Sequence, residues 1–271
     1  MSKTTSKSLP HWGKEELHTA RLENGFRIIY KEVPRPVTHC GLVINAGSRD
    51  EIARNGESGA AHFIEHTLFK GTQKRKAFHI LNRLDTVGGE FNAYTSKEDT
   101  WIYAAFSEQH LERAVELIAD ITFQATFPEK EIVKERDVIL DELNAYLDSP
   151  AEAIFDEFEE RLFAGHPLGG NILGTKESVS EMSRTVLKGF VDRHYQTDQM
   201  VFSAVGATPW KKVLRMCEKH FASIPSGTAK LERIPFKNYQ PFDLRTAKDI
   251  HQVHHMMGTV THGSDHSDRL G

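Results

Sequence analysis

Cysteine is nearly absent from this chain of 271 residues. Cys40 and Cys217 are the two it has, far apart and outside any Cys-x-x-Cys pair. That excludes a disulfide framework and a zinc site built from thiolates, and it suits a reducing compartment. An excess of positive charge is also missing: the formal net charge is −4, so no basic surface points to nucleic acid. No apolar stretch approaches the length of a membrane span. The first ten residues are rich in Ser and Lys but contain no apolar run of the kind a secretory signal needs. They also lack arginine and an amphipathic pattern. A short flexible lead over residues 1–16 is therefore expected rather than a transit peptide, and the expected location is cytoplasmic.

What the chain does have is histidine in a telling place. His62-Phe63-Ile64-Glu65-His66 reads His-x-x-Glu-His, the inverted form of the zinc-protease motif. On a helix, His62 and His66 are one turn apart on one face, so both imidazoles can grip one metal ion. Glu65 follows His62 by three positions and projects beside the metal, where a base acting on metal-bound water must sit. Two histidines and a glutamate also arise by chance on solvated helices, so the motif needs a third ligand.

Candidates lie between Pro128 and Asp148. Proline at the first turn, with Glu129 and Glu131 after it, favours a helix start. Ile132, Val133, Val138, Ile139, Leu140, Leu143 and Leu147 supply an apolar stripe. Glu135 and Glu142 are seven positions apart, close to two turns, so both point the same way. A His, His, Glu set leaves a fourth zinc position open for water, which is the catalytic arrangement. Taken alone, these glutamates also fit a solvated helix face.

The segment from Gly59 to Gly71 resembles the signature of the pitrilysin or insulinase family, the M16 metallopeptidases. That family follows His-x-x-Glu-His with a ligand glutamate about 75 residues later, and Glu142 stands 76 positions after His66. Further blocks carry the resemblance: Leu22 to Arg27 with its Asn24-Gly25 turn, Ala46 to Glu51 with its Gly-Ser-x-x-Glu pattern, and Gly88 to Thr95 with Glu98 and Thr100. It extends from about residue 17 to about residue 260 and is most similar to the processing-peptidase branch. The resemblance implies zinc as cofactor, held by His62, His66 and Glu142, with Glu65 as general base. Glu135, seven residues before the ligand, is implied as a second acid that orients a ligand or the water. Phe91, Asn92, Ala93 and Tyr94 are implied as a sheet edge that accepts a peptide substrate as an added strand. The implied partner is a second M16-like domain or subunit, as a homodimer or heterodimer. The alternative is a truncated or non-catalytic subunit that needs or scaffolds a partner, although the retained Glu65 and both histidines argue against lost catalysis.

The order of elements predicts an α+β fold: one mixed, largely antiparallel sheet covered by helices. Strands are expected at Thr19 to Leu22, Phe26 to Val33, Thr38 to Ala46, Phe91 to Thr95, Thr100 to Ser107 and Val201 to Val205. Helices are expected at about 59–69, 77–87, 108–122, 128–148, 151–163 and 183–194, and at 209–221 with Thr208 as its opener. Residues 17–225 then form the peptidase domain, 226–249 a linker, and 250–271 the start of a second M16-like domain, with a strand over Ile250 to Thr261. His251, His254, His255, His262 and His266 crowd that tail. Their irregular spacing favours ordinary strand or solvated residues over a second metal site.

Overall fold

The computed structural model describes residues 17–229, 232–237, 239–263 and 266–268; the lead over 1–16 lies outside them. The chain opens with a hairpin of β1 (Leu17–Arg21) and β2 (Arg27–Glu32). Its turn depends on Gly25, whose φ of +92° suits glycine. Asn24 anchors the turn by donating to the carbonyls of Phe221 at 2.8 Å and Ile224 at 2.9 Å.

β3 (Val37–Ile44), β4 (Glu90–Thr95), β5 (Thr100–Ser107) and β6 (Met200–Gly206) complete a six-stranded sheet of order β1-β2-β6-β3-β5-β4. All pairs are antiparallel except β2 with β6. The expected α+β class and mixed sheet are thus present. Side chains alternate between the faces. Ile28, Tyr30, Leu42, Ile44, Ile102, Phe106, Met200 and Phe202 are buried on one face. Beneath them pack α3 (Leu111–Phe123) on β3 and β5, and α8 (Trp210–Phe221) on β2. The other face is more open. It carries Ile29, Val43, Trp101 and Val201 half-buried, with Tyr94, Tyr103 and Val205 exposed.

The remaining helices are α1 (Ala60–Leu68), α2 (Ala77–Asp85), α4 (Glu129–Asp148), α5 (Pro150–Leu162), α6 (Lys176–Glu181) and α7 (Arg184–His194). α1 lies against β4, α4 and α7, which brings the motif helix beside both the sheet edge and the long helix.

Four expectations need correction. The strand expected over Ile250 to Thr261 is absent: residues 250–262 carry no helix or strand, and the described residues offer them no ladder partner. The opener of α8 is Pro209 rather than Thr208, whose carbonyl accepts from the Tyr30 hydroxyl at 2.5 Å. The apolar stripe of α4 is narrower than expected: Ile132, Ile139 and Leu143 are buried, but Val133, Val138 and Leu147 are exposed. Finally, α6 was not expected. Its Thr175 and Ser178 form a capping box, yet a helix of six residues with Val179 as its one buried side chain shows no periodicity to read.

Candidate metal centre

The start of α1 is fixed by backbone contact. Gly59, its N-cap, has φ +85°, and a Cβ there would sit 2.7 Å from the Leu173 carbonyl oxygen. Gly174 faces it with φ +79°, and a Cβ there would meet the Ser58 carbonyl oxygen at 2.6 Å. Two glycines facing each other let the loop after α5 press on the helix start. Glu51 completes the cap, accepting from the Gly59 N–H and the Ala61 N–H, each at 2.9 Å. Its carboxylate thus meets the positive end of the helix dipole. Enclosure still pushes its carboxyl well above the ordinary range, against the pull of those two bonds.

From that start the helix presents His62 and His66 on one face, their ring centroids 4.6 Å apart. Glu142 comes across from α4. Its Oε2 lies 3.7 Å from His62 Nε2 and 3.5 Å from His66 Nε2. The ligand atoms of these three residues all fall within 4.8 Å of one another. That donor set suits zinc: two imidazole nitrogens and one carboxylate oxygen, with a side open. His62 is buried, and desolvation together with neighbouring His66 lowers its pKa to about 3, so its imidazole is neutral near pH 7. A neutral ring is what a metal requires. His62 Nδ1 has no hydrogen-bond partner among the described residues.

Glu135 lies inside the stripe of α4 and is buried. Its Oε2 is 3.2 Å from His66 Nδ1, and its Oε1 is 2.8 Å from the Lys70 ammonium. A carboxylate accepts, so His66 carries its proton on Nδ1 and turns the Nε2 lone pair toward Glu142 and His62. Glu135 therefore touches a candidate ligand rather than the open side of the cluster. Lys70 was not read as a site residue, although it sits four residues beyond His66 on the same side of the chain.

Glu65 stands apart from the three-residue cluster. It lies beside Thr95, at the end of β4. Burial raises its pKa, and the polar groups of Thr95 oppose that rise. β4 is an edge strand, paired with β5 alone among the described residues. Phe91 and Ala93 turn toward the helices, with Phe91 edge-on to Phe69 at 5.3 Å, while Asn92 and Tyr94 are exposed. Asn92 Oδ1 accepts from the Ala93 N–H at 2.9 Å, which blunts that edge. A cleft of about 880 Å³ lies nearby, lined by Tyr146, Leu147, Asp156, Glu51 and Leu173 but by none of the motif residues. In the tail, His262, His266 and Asp268 also come together, fully exposed, with His266 Nδ1 already accepting from the Asp268 N–H.

A mixed sheet flanked by an inverted His-x-x-Glu-His helix, with a third carboxylate arriving from a second helix, defines a metalloprotease-like domain. The sequence profile described as Insulinase (Peptidase family M16) matches residues 27–176. The chain belongs to peptidase family M16. A second profile, described as Peptidase M16 inactive domain, matches residues 181–270, a stretch that includes α7, β6 and α8. The chain is 39% identical over 220 residues to an uncharacterized zinc protease of Mycobacterium leprae, covering 78% of this chain and 49% of that one. It is 33% identical over 224 residues to the mitochondrial-processing peptidase subunit beta of Caenorhabditis elegans, covering 83% and 48%. A crystal structure of a protease from Helicobacter pylori superposes with TM-score 0.76 at 27% identity, covering 82% of this chain and 54% of that one. The chain spans about half the length of the curated relatives it matches.

Proposed function

We propose that this chain is the zinc-bearing part of a metalloendopeptidase that hydrolyses peptides or unfolded segments. The observation that carries the reading is the convergence of His62, His66 and Glu142 with Glu65 beside them but outside the cluster. Zinc, when bound, supplies Lewis-acid activation of a water molecule and polarises the scissile carbonyl. His62, His66 and Glu142 would hold it. Glu135 keeps the His66 ring turned and its Nδ1 protonated. Glu65 takes a proton from the attacking water and delivers it to the leaving amide nitrogen. Its raised pKa makes it a readier acceptor than a solvated carboxylate.

The substrate docks as an added strand on β4, along Phe91, Asn92, Ala93 and Tyr94. It displaces the Asn92 side chain from the Ala93 N–H, so pairing begins only where a peptide replaces that bond. β4 ends at Thr95 beside Glu65, and a strand laid on this edge runs toward the base.

A second M16-like half, in a longer chain or a separate subunit, completes the substrate chamber. The coverage of about half of each curated relative supports this. Cleavage of a quenched fluorescent peptide library by the purified chain, with zinc content measured on the same sample, tests both parts. Chelator-sensitive cleavage is expected once the missing half is supplied. A wild-type chain free of zinc after reconstitution would end the metalloprotease reading. One zinc without cleavage by the chain alone would point to the missing half.

A further inference from the structure

Two stretches take no part in that chemistry: the Gly47 to Glu51 loop and the linker. The structure joins them. Arg233, in the linker, forks onto Asp50, with Nε to Oδ1 at 2.9 Å and Nη2 to Oδ2 at 2.7 Å. The same guanidinium donates to Asn45 Oδ1 at 2.8 Å and to the Glu98 carbonyl at 2.5 Å. The next residues are fastened too. The Ile234 carbonyl accepts from Arg49 at 3.2 Å and lies 2.8 Å from His166 Nε2. The ring of Phe236 meets Phe163 edge-on at 5.0 Å.

Asp50 is adjacent to Glu51, the residue that caps α1. His62 follows N-cap Gly59 by three positions, so it stands in the first turn, where the cap acts. Glu51 also feels the charges of Glu57 and Asp50. Arg193 pairs with Glu57 at 2.6 Å, and Arg233 pairs with Asp50. Without Arg233 the Asp50 carboxylate, whose side chain is 5% exposed, keeps the Gly47 N–H but no cationic partner among the described residues, and it repels Glu51.

We propose that residues 233–236 form a docked strap and that Arg233 is a positioning residue for the metal helix. It acts through Asp50 and Glu51 on the first turn of α1, and so on the placement of His62 against His66 and Glu142. The chain that leads away from the domain is thereby wired to the metal site. This inference rests on the zinc reading above.

The test uses the whole chain with zinc alone as probe, its dissociation constant read by competition with a chromogenic chelator. Arg233→Ala is expected to weaken zinc about ten-fold, the scale of lost support behind a metal ligand. Arg233→Lys is expected to rescue little, because a single ammonium cannot fork. Arg245→Ala is the control, since that exposed arginine pairs with Asp243 alone among the contacts described for it. The deciding variant is Arg233→Ala combined with Asp50→Asn. Removing the stranded charge together with its partner should restore most of the zinc affinity. Damage from lost packing would not be restored. Chymotrypsin should cut at Phe236 sooner in Arg233→Ala than in wild type. A zinc constant in Arg233→Ala within two-fold of wild type overturns the proposal, and so does a double variant no better than the single. A wild-type chain that binds no zinc instead brings down the metal reading, and this inference falls with it.

Discussion

Three glutamates surround His66, and their contacts differ. Glu142 faces the Nε2 atoms of both histidines, Glu135 faces the back of one ring, and Glu65 leans on Thr95. Replacing each by glutamine therefore gives a different loss. Glu65→Gln is expected to keep one zinc per chain and to abolish hydrolysis, measured by metal analysis and peptide cleavage. A variant that loses its zinc would show Glu65 to be a ligand. Glu142→Gln is expected to lower zinc content at a fixed chelator concentration, and full retention would remove it from the ligand set. Glu135→Gln is expected to weaken zinc by about ten-fold while leaving the site able to fill at high zinc. It also strands the Lys70 ammonium, so a lower melting temperature should accompany it.

At the scale of the element, α1 is a nine-residue helix that depends on what holds its ends. Gly59→Ala is expected to cost at least ~2 kcal/mol, because it adds a Cβ at positive φ against a backbone carbonyl that cannot yield. Thermal unfolding would read this as a clear drop in midpoint. An unchanged midpoint would mean that the approach to Leu173 is looser than it stands. The helix itself was legible from the chain, since the four-residue spacing of His62 and His66 is local and a helix turns it into a shared face. The Asn24-Gly25 hairpin was legible for the same reason. Glu142 was legible only as one of two candidates: a carboxylate from another helix leaves no periodic trace near the motif, and family resemblance chose it over Glu135. Glu51 was visible as part of a pattern but had no readable role, because its partners lie eight and ten residues ahead. Arg233 was hidden altogether, since 183 residues separate it from Asp50.

At the scale of the molecule, the two faces of the sheet differ in what covers them. The helix-covered face is mostly apolar, with the buried hydroxyls of Thr38 and Thr100 within it and His18 near its edge. The open face holds an apolar patch of Val43, Tyr94, Trp101, Tyr103, Val201 and Val205, bordered by Glu90 and Asn92 on β4, His39 on β3, and Arg27 and Lys31 on β2. Open faces of antiparallel sheets usually alternate to polar residues, so this patch is suited to burial. Val205→Lys, at an exposed position there, is expected to shift stability by no more than ~0.5 kcal/mol. It should reduce binding of an apolar dye by the isolated chain. Unaltered dye binding would place the patch elsewhere.

The position of β6 has a consequence for how the protein comes into being. The strand that fills the centre of the sheet, between β2 and β3, is the last of the six in the chain. While a ribosome is still making residues before Met200, β1 and β2 have no neighbour on their inner side, and neither has β3. Two half-sheets with open inner edges must wait side by side for a piece not yet synthesised. That interval favours capture by chaperones and wrong pairing between nascent chains. It ends only when Met200–Gly206 slots in and both edges close at once.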